Sequence, residues 1–319
     1  MKIESFPRKL FLFRNNLCMF AQTQNELHNM KHMSILAVSL LALVACTPEK
    51  KQEADYSQYV NPMIGTDFTG NTYPGAQLPF GMVQLSPDNG LPGWDRISGY
   101  FYPDTTIAGF SHTHLSGTGA GDLYDISFMP VTRPYKEAPA PLGIYSTFSH
   151  NDEAASAGYY RVLLKDYNIN VELTATERCG IQRYTFPEAE ASVFLNLKKA
   201  MNWDFTLDSK IEVVDSTTIR GYRLSQGWSP LQHVYFETRF SKPFVACHMD
   251  TTSIVTKEKG WIGTAYVARF DFNTKKDEEI LVTTGISGVS MEGAGKNLRA
   301  EAPKDDFDYY QAQASANWN

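Results

Sequence analysis

From Tyr56 to Ser287 the chain is written in short runs of alternating apolar and polar residues, broken by Gly, Pro, Asn and Asp. Ile169-Asn170-Val171-Glu172-Leu173-Thr174-Ala175 is the clearest run, with an apolar side chain at nearly every second position. A period of two puts those side chains on one face of a strand, and a half-buried strand needs a second layer to cover that face. Residues 181–186, 192–197, 210–214, 218–224, 234–240, 265–272 and 280–286 read the same way, several joined by short polar links such as Asp215-Ser216. Many strands without intervening helical periods predict a mainly β fold, a large antiparallel β-sandwich over residues 58–290. Residues 291–300 and 306–318 are polar, alanine-bearing and free of β-branched runs, which predicts short linking helices at the C-terminal end. The second of these carries Tyr309, Tyr310 and Trp318. With no partner for those rings apparent in the sequence, the expectation is a chain that stops at a domain boundary.

The amino terminus has a different logic. Met30-Lys31-His32-Met33 is a basic head, residues 34–45 are an apolar run with small residues near its end, and Cys46 follows. The run is well short of the ~20 residues that cross a bilayer, so residues 30–45 read as a signal peptide. Leu43-Val44-Ala45-Cys46 resembles a bacterial lipobox, which makes Cys46 the expected lipidation site and a lipid anchor the only expected membrane contact. A simple secretory signal with an incidental cysteine is the alternative. Residues 1–29 precede this signal and read as an over-extended start. Residues 46–57 form a polar tether. Beyond Cys18 and Cys46 only Cys179 and Cys247 remain, and two cysteines have no spacing pattern that decides between a disulfide and free thiols.

The net charge of −6 includes residues 1–45, whose Lys2, Arg8, Lys9, Arg14 and Lys31 outweigh Glu4 and Glu26. The remainder is therefore more acidic still. Without a basic cluster the chain lacks the electrostatic footprint of a nucleic-acid binder.

Residues 61–122 differ from everything that follows. Gly65-Thr66-Asp67-Phe68-Thr69-Gly70-Asn71-Thr72-Tyr73-Pro74-Gly75-Ala76 is dense in residues that permit tight turns and close backbone approach. Aromatic residues interleave there with Asp67, Asp88, Asp95, Arg96, His112, His114 and Asp122. Sugars need this mixture, because their C–H faces lie on aromatic rings while their hydroxyls need fixed donors and acceptors. A packed loop core fits the same composition. Trp94, on the Pro92-Gly93 turn, is the first candidate platform, with Asp95 as a hydroxyl acceptor beside it. His112, His114 and Asp122 are candidate binding residues. A metal site from His112, His114 and Asp122 lacks a third ligand at diagnostic spacing. Ser116-Gly117-Thr118-Gly119-Ala120-Gly121-Asp122 lacks the lysine that a phosphate cradle requires. Glycoside hydrolysis needs two carboxyl groups flanking the scissile bond. Asp67, Asp95, Asp104, Asp122 and Asp125 are available, but no pair stands out, and no catalytic residue is assigned in this chain.

In order along the chain, Tyr59-Val60-Asn61-Pro62-Met63-Ile64-Gly65-Thr66, Tyr73-Pro74-Gly75-Ala76, Pro79-Phe80-Gly81-Met82-Val83-Gln84-Leu85-Ser86-Pro87-Asp88, Ser98-Gly99-Tyr100 and residues 109–119 resemble the amino-terminal part of glycoside hydrolase family 92, the exo-acting α-mannosidases of Bacteroidota. Gly285-Ile286-Ser287 and Asn297-Leu298 extend the resemblance. It implies a large β-sandwich (supersandwich) joined by helices to an (α/α) toroid, with the site between them. It further implies an inverting single displacement and a calcium ion holding the terminal mannose, with acid, base and most calcium contacts in the helical domain. On this resemblance Trp94 meets the leaving-group sugar, and His112, His114 and Asp122 lie in the signature loop. Asn71 stands where many relatives have histidine, and Ala120 where many have cysteine.

The expectation is the amino-terminal, sugar-site-forming domain of a calcium-dependent inverting α-mannosidase, of α-1,2 type, acting on mannose-rich glycans in the cell envelope, with the catalytic domain as its partner. The alternative is a stand-alone carbohydrate-binding lipoprotein without catalytic activity.

Overall fold

The computed structural model describes residues 54–198, 202–256 and 261–319. The signal-peptide, lipobox and Cys46 readings fall outside the described residues.

Two antiparallel sheets face each other. The first has the order β1 (Ala76–Gln77), β2 (Gln84–Asp88), β4 (Gly109–Ser111), β5 (Ser127–Thr132), β13 (Ala189–Asn196), β18 (Trp261–Thr274) and β17 (Ala246–Thr256). The second runs β14 (Phe205–Val213), β15 (Thr218–Gln226), β16 (Gln232–Phe240), β19 (Glu278–Ser287), β12 (Cys179–Phe186), β11 (Ile169–Ala175), β10 (Tyr159–Leu164) and β9 (Glu153–Ser156). Two small ribbons pair β3 (Thr106–Ile107) with β8 (Ser146–Thr147) and β6 (Glu137–Ala138) with β7 (Gly143–Ile144). The predicted mainly β sandwich is what forms.

The alternation works as expected in β15 and β16, where buried and part-exposed residues alternate along the strands. Their inward side chains meet those of the other sheet. Phe240 of β16 stands edge-on to Phe128 of β5 with ring centroids 6.4 Å apart, and lies 5.2 Å from Phe270 of β18. Interleaved rings of this kind, with Phe110, Val193, Val171, Tyr184 and Val282, make one continuous apolar core.

β19 departs from alternation: Ile280 to Ser287 are all buried. Its outer face is covered by α1 (Met291–Glu301), which comes so close at Gly285 that a Cβ there would lie 2.6 Å from the Ala294 carbonyl oxygen. Ser290 caps α1 by accepting the Gly293 amide at 3.0 Å, and Asp306 caps α2 (Phe307–Trp318) by accepting the Tyr309 amide at 3.0 Å. Against the expectation from the sequence, Tyr310 and Trp318 of α2 do find partners, while Tyr309 stays 44% exposed. Phe307 and Tyr310 are buried with Cys179, Ile181, Leu281 and Leu298 against the outer face of the second sheet. The Trp318 indole donates to the Gln77 carbonyl at 2.7 Å. Cys179 and Cys247 are free thiols, and burial pushes Cys179 up to about 12.

Candidate functional site

The loops after β1, β2 and β4 gather at one end of the sandwich with the β15–β16 turn and the segment leading into β14. Three indoles emerge there. Trp94 is 58% exposed, Trp203 43% and Trp228 81%. Trp94 and Trp203 face one another with centroids 6.4 Å apart and planes inclined by 31°. The edge of Trp94 lies over Gly119, where an added Cβ would touch the ring at 3.4 Å. Beside this pair opens a cleft of about 440 Å³ lined by Gly119, Ala120, Trp203, Gly227 and Trp228.

The turns that carry Trp94 and Trp228 sit on fixed supports. Asn202 accepts the Gly93 amide at 2.9 Å and donates to the Arg96 carbonyl at 3.3 Å, so one side chain ties both ends of the Trp94 turn. Gly121 makes room for it, since a Cβ there would lie 2.6 Å from that of Asn202. Arg96 is held in turn by both oxygens of Asp104. The charges of Asp104 and Asp95 keep Arg96 above its ordinary pKa, with the Asp104 hydrogen bond the leading cause. Asp95 is part-buried beside Trp94 and accepts no hydrogen bond from a described residue.

Asp122 is buried rather than presented to the cleft. Its Oδ2 accepts the Trp228 amide at 2.6 Å and the Gln232 side-chain amide at 3.0 Å, while Oδ1 is buried without a hydrogen-bond partner. A Cβ on Gly227 would lie 2.2 Å from that Oδ1, so the Trp228 turn closes onto the carboxylate only because residue 227 is glycine.

The two histidines also lie beneath the surface, so in this conformation neither offers an edge to a sugar. His112 donates from Nδ1 to the Ile126 carbonyl at 2.7 Å, and its Nε2 is buried without a partner against Gly180. Burial lowers its pKa to about 4, so the ring is neutral at ordinary pH. His114 faces the Gln84 carbonyl through Nδ1 at 2.7 Å, and through Nε2 meets Asp88 at 2.9 Å and the Ser111 hydroxyl at 3.1 Å.

Below the signature loop lies a buried ionic group absent from the sequence reading. Arg223 of β15 meets Asp125 at 2.7 Å, contacts Asp204, and bonds Thr206 at 2.9 Å. Burial opposes the Arg223 charge, but Asp125 and Asp204 outweigh it and raise its pKa. Burial also lifts the Asp204 carboxyl, despite the adjacent guanidinium. Sequence reasoning missed Trp203 and Trp228 as well. Gly227-Trp228-Ser229-Pro230 carries the same glycine–tryptophan turn signal as Gly93-Trp94, whereas Trp203 has no comparable local mark.

Among the described residues no three His, Cys, Asp or Glu side chains converge on a point where they could hold a metal ion. Calcium takes six to eight oxygen ligands. Asp95 and the unpaired oxygen of Asp122 do not supply such a set, so these residues by themselves do not fit a calcium site.

Fold and loops together are those of a glycoside hydrolase β-sandwich domain. A family GH92 α-mannosidase from Bacteroides thetaiotaomicron, solved in complex with mannoimidazole, superposes with a TM-score of 0.75 at 37% identity over 83% of this chain and 36% of that one. A family GH92 inverting mannosidase from Bacteroides thetaiotaomicron VPI-5482 has the same fold, with a TM-score of 0.68 at 24% identity over 84% of this chain and 36% of its own. An uncharacterized secreted glycosidase of Arthroderma benhamiae is 27% identical over 172 residues, 51% of this chain and 21% of that protein. Residues 59–287 match the family model for the glycosyl hydrolase family 92 N-terminal domain, and the chain belongs to that family. It spans little more than a third of the solved relatives and about a fifth of the curated one.

Proposed function

We propose that this chain forms the aromatic wall of an α-mannosidase site that receives a mannose-containing glycan. Trp94 is the platform for the leaving-group sugar, and Asp95 accepts one of its hydroxyls. The carrying observation is that Trp94 stands exposed on a turn tied at both ends by Asn202. A ring held rigidly in water offers a C–H-stacking surface without an ordering cost on binding. His112, His114 and Asp122 act from below, as positioning residues for the loop. Family membership and the mannoimidazole complex of the B. thetaiotaomicron relative support mannose as the sugar.

Inverting hydrolysis requires an acid and a base about 6.5–9.5 Å apart across the bond. At the Trp94 turn Asp95 stands alone, and Asp122 is engaged below the surface. Acid, base and any calcium ligands therefore come from groups other than these, which matches the division of labour that the resemblance implies. An inverting, calcium-dependent, α-1,2-type activity belongs to the whole protein on this reading. Export and anchoring through Cys46 rest on the lipobox pattern, and the secreted relative supports export.

The test is a hydrolysis assay of the purified 319-residue chain on α-mannobioses with calcium present. The expected result is no turnover. Mannose release would contradict the assignment of acid and base to groups outside this chain. The stand-alone binding reading draws on the same preformed platform, and it predicts tight, saturable mannobiose binding by this chain where the domain reading predicts weak binding.

A further inference from the structure

The cleft beyond Trp94 is larger than one stacking platform requires. Trp203 is shared: one part of it faces Trp94, and it also walls the cleft opposite Gly119, Ala120, Gly227 and Trp228. Trp203 thus belongs both to the pair with Trp94 and to the cleft with Trp228. Trp228 is the most exposed of them, yet its turn is not left loose. A buried carboxylate holds its amide at 2.6 Å and the neighbouring Gln232 at 3.0 Å, and a glycine is required where the turn meets that carboxylate. Holding a large apolar ring in water at 81% exposure has no packing benefit within the described residues.

We infer that the cleft between Trp203 and Trp228 takes a second pyranose ring, one residue further along the glycan than the ring stacked on Trp94. This rests on the reading of Trp94 as a sugar platform. The chemistry of the lining favours a neutral sugar: among the described residues no Lys, Arg, Asp or Glu lines the cleft, and two indoles match the C–H faces of a pyranose. The small floor of Gly119 and Ala120 leaves room for the ring. A volume of about 440 Å³ lies within the range of ordinary small-ligand clefts. The site would favour glycans with at least two sugars beyond the cleaved bond.

The experiment follows the indole N–H signals of the 319-residue chain in nitrogen-15 proton spectra, with its five tryptophans assigned by single Trp→Phe substitutions. Methyl α-mannoside, α-mannobiose and a linear α-mannotriose are titrated in turn. Methyl mannoside is expected to move the Trp94 signal alone, and mannobiose and mannotriose, which carry the second ring, to move Trp228 as well. Trp228→Ala should lower mannotriose affinity about tenfold more than methyl mannoside affinity, and Trp228→Phe should recover most of the loss. A Trp94 signal that moves while Trp228 stays fixed with every sugar overturns the second subsite and leaves the platform reading intact. If no indole responds to any of the three sugars, both fall. Unchanged dispersion of the remaining signals in Trp228→Ala shows that the variant is folded.

Discussion

The carboxylate of Asp122 accepts the backbone amide of Trp228 at 2.6 Å, joining the signature loop to the β15–β16 turn across 106 residues of chain. Asp122→Ala removes that bond and the one to Gln232. Hydrogen bonds to a charged acceptor are worth about 1.5–3 kcal/mol each, so losing two should cost the variant roughly 3–6 kcal/mol of stability. Amide hydrogen exchange at Trp228 should accelerate more than exchange in the core strands. Gly227→Ala should act the same way, because its methyl would sit 2.2 Å from Asp122 Oδ1. Unchanged exchange at Trp228 in both variants would show that the carboxylate does not hold the turn.

Arg223 is wholly buried between Asp125 and Asp204. Removing one member of a buried ionic group leaves uncompensated charge, at a cost of about 3–5 kcal/mol. Arg223→Met should lose that much in urea denaturation, and Arg223→Met combined with Asp125→Asn and Asp204→Asn should recover a substantial part. A loss below about 1 kcal/mol in the single variant would mean that the group contributes little to the loop's support.

His112 predicts a specific acid sensitivity. Its folded pKa, about 4, lies below the ordinary histidine value of 6.5 because burial disfavours the charged ring. Between those values the unfolded chain binds the proton more readily than the folded one. The stability contribution is therefore fully present above pH 6.5, declines as pH falls toward 4, and is exhausted below that. The size is on the order of 3 kcal/mol. In His112→Asn the slope of stability against pH over this window should be shallower than in the wild type, by urea titrations at half-unit steps. Parallel slopes would contradict a neutral, buried His112.

What could be read from the sequence followed burial. β11, β15 and β16 have one face on the core and one toward water, so their alternation was visible. β17 is an edge strand with little burial on either face, and its polar run Asp250-Thr251-Thr252-Ser253 has no apolar face to find. β5 contains Pro130, which argues against a strand in any local reading. The partners of Tyr310 were hidden for another reason: they lie on the outer face of β12 and β19, and only the tertiary fold brings that face under α2. At the site, Trp94 and Asp95 were legible from one turn. The supports were not, because Asn202 and Arg223 lie about 100 residues away and look locally like any polar loop or strand residue. His112 and His114 drew notice for their chemistry, whereas their burial depended on contacts with Ile126, Gly180, Gln84 and Asp88.

Whether Trp94 is a mannose platform is decided by calorimetric titration of α-1,2-mannobiose into the 319-residue chain and its Trp94→Ala variant. A stacking platform gives weak but saturable heat with the wild type, an affinity lower by at least about tenfold in Trp94→Ala, and little change in melting temperature for an exposed turn residue. Equal affinity in the two proteins, or binding by neither, would contradict it.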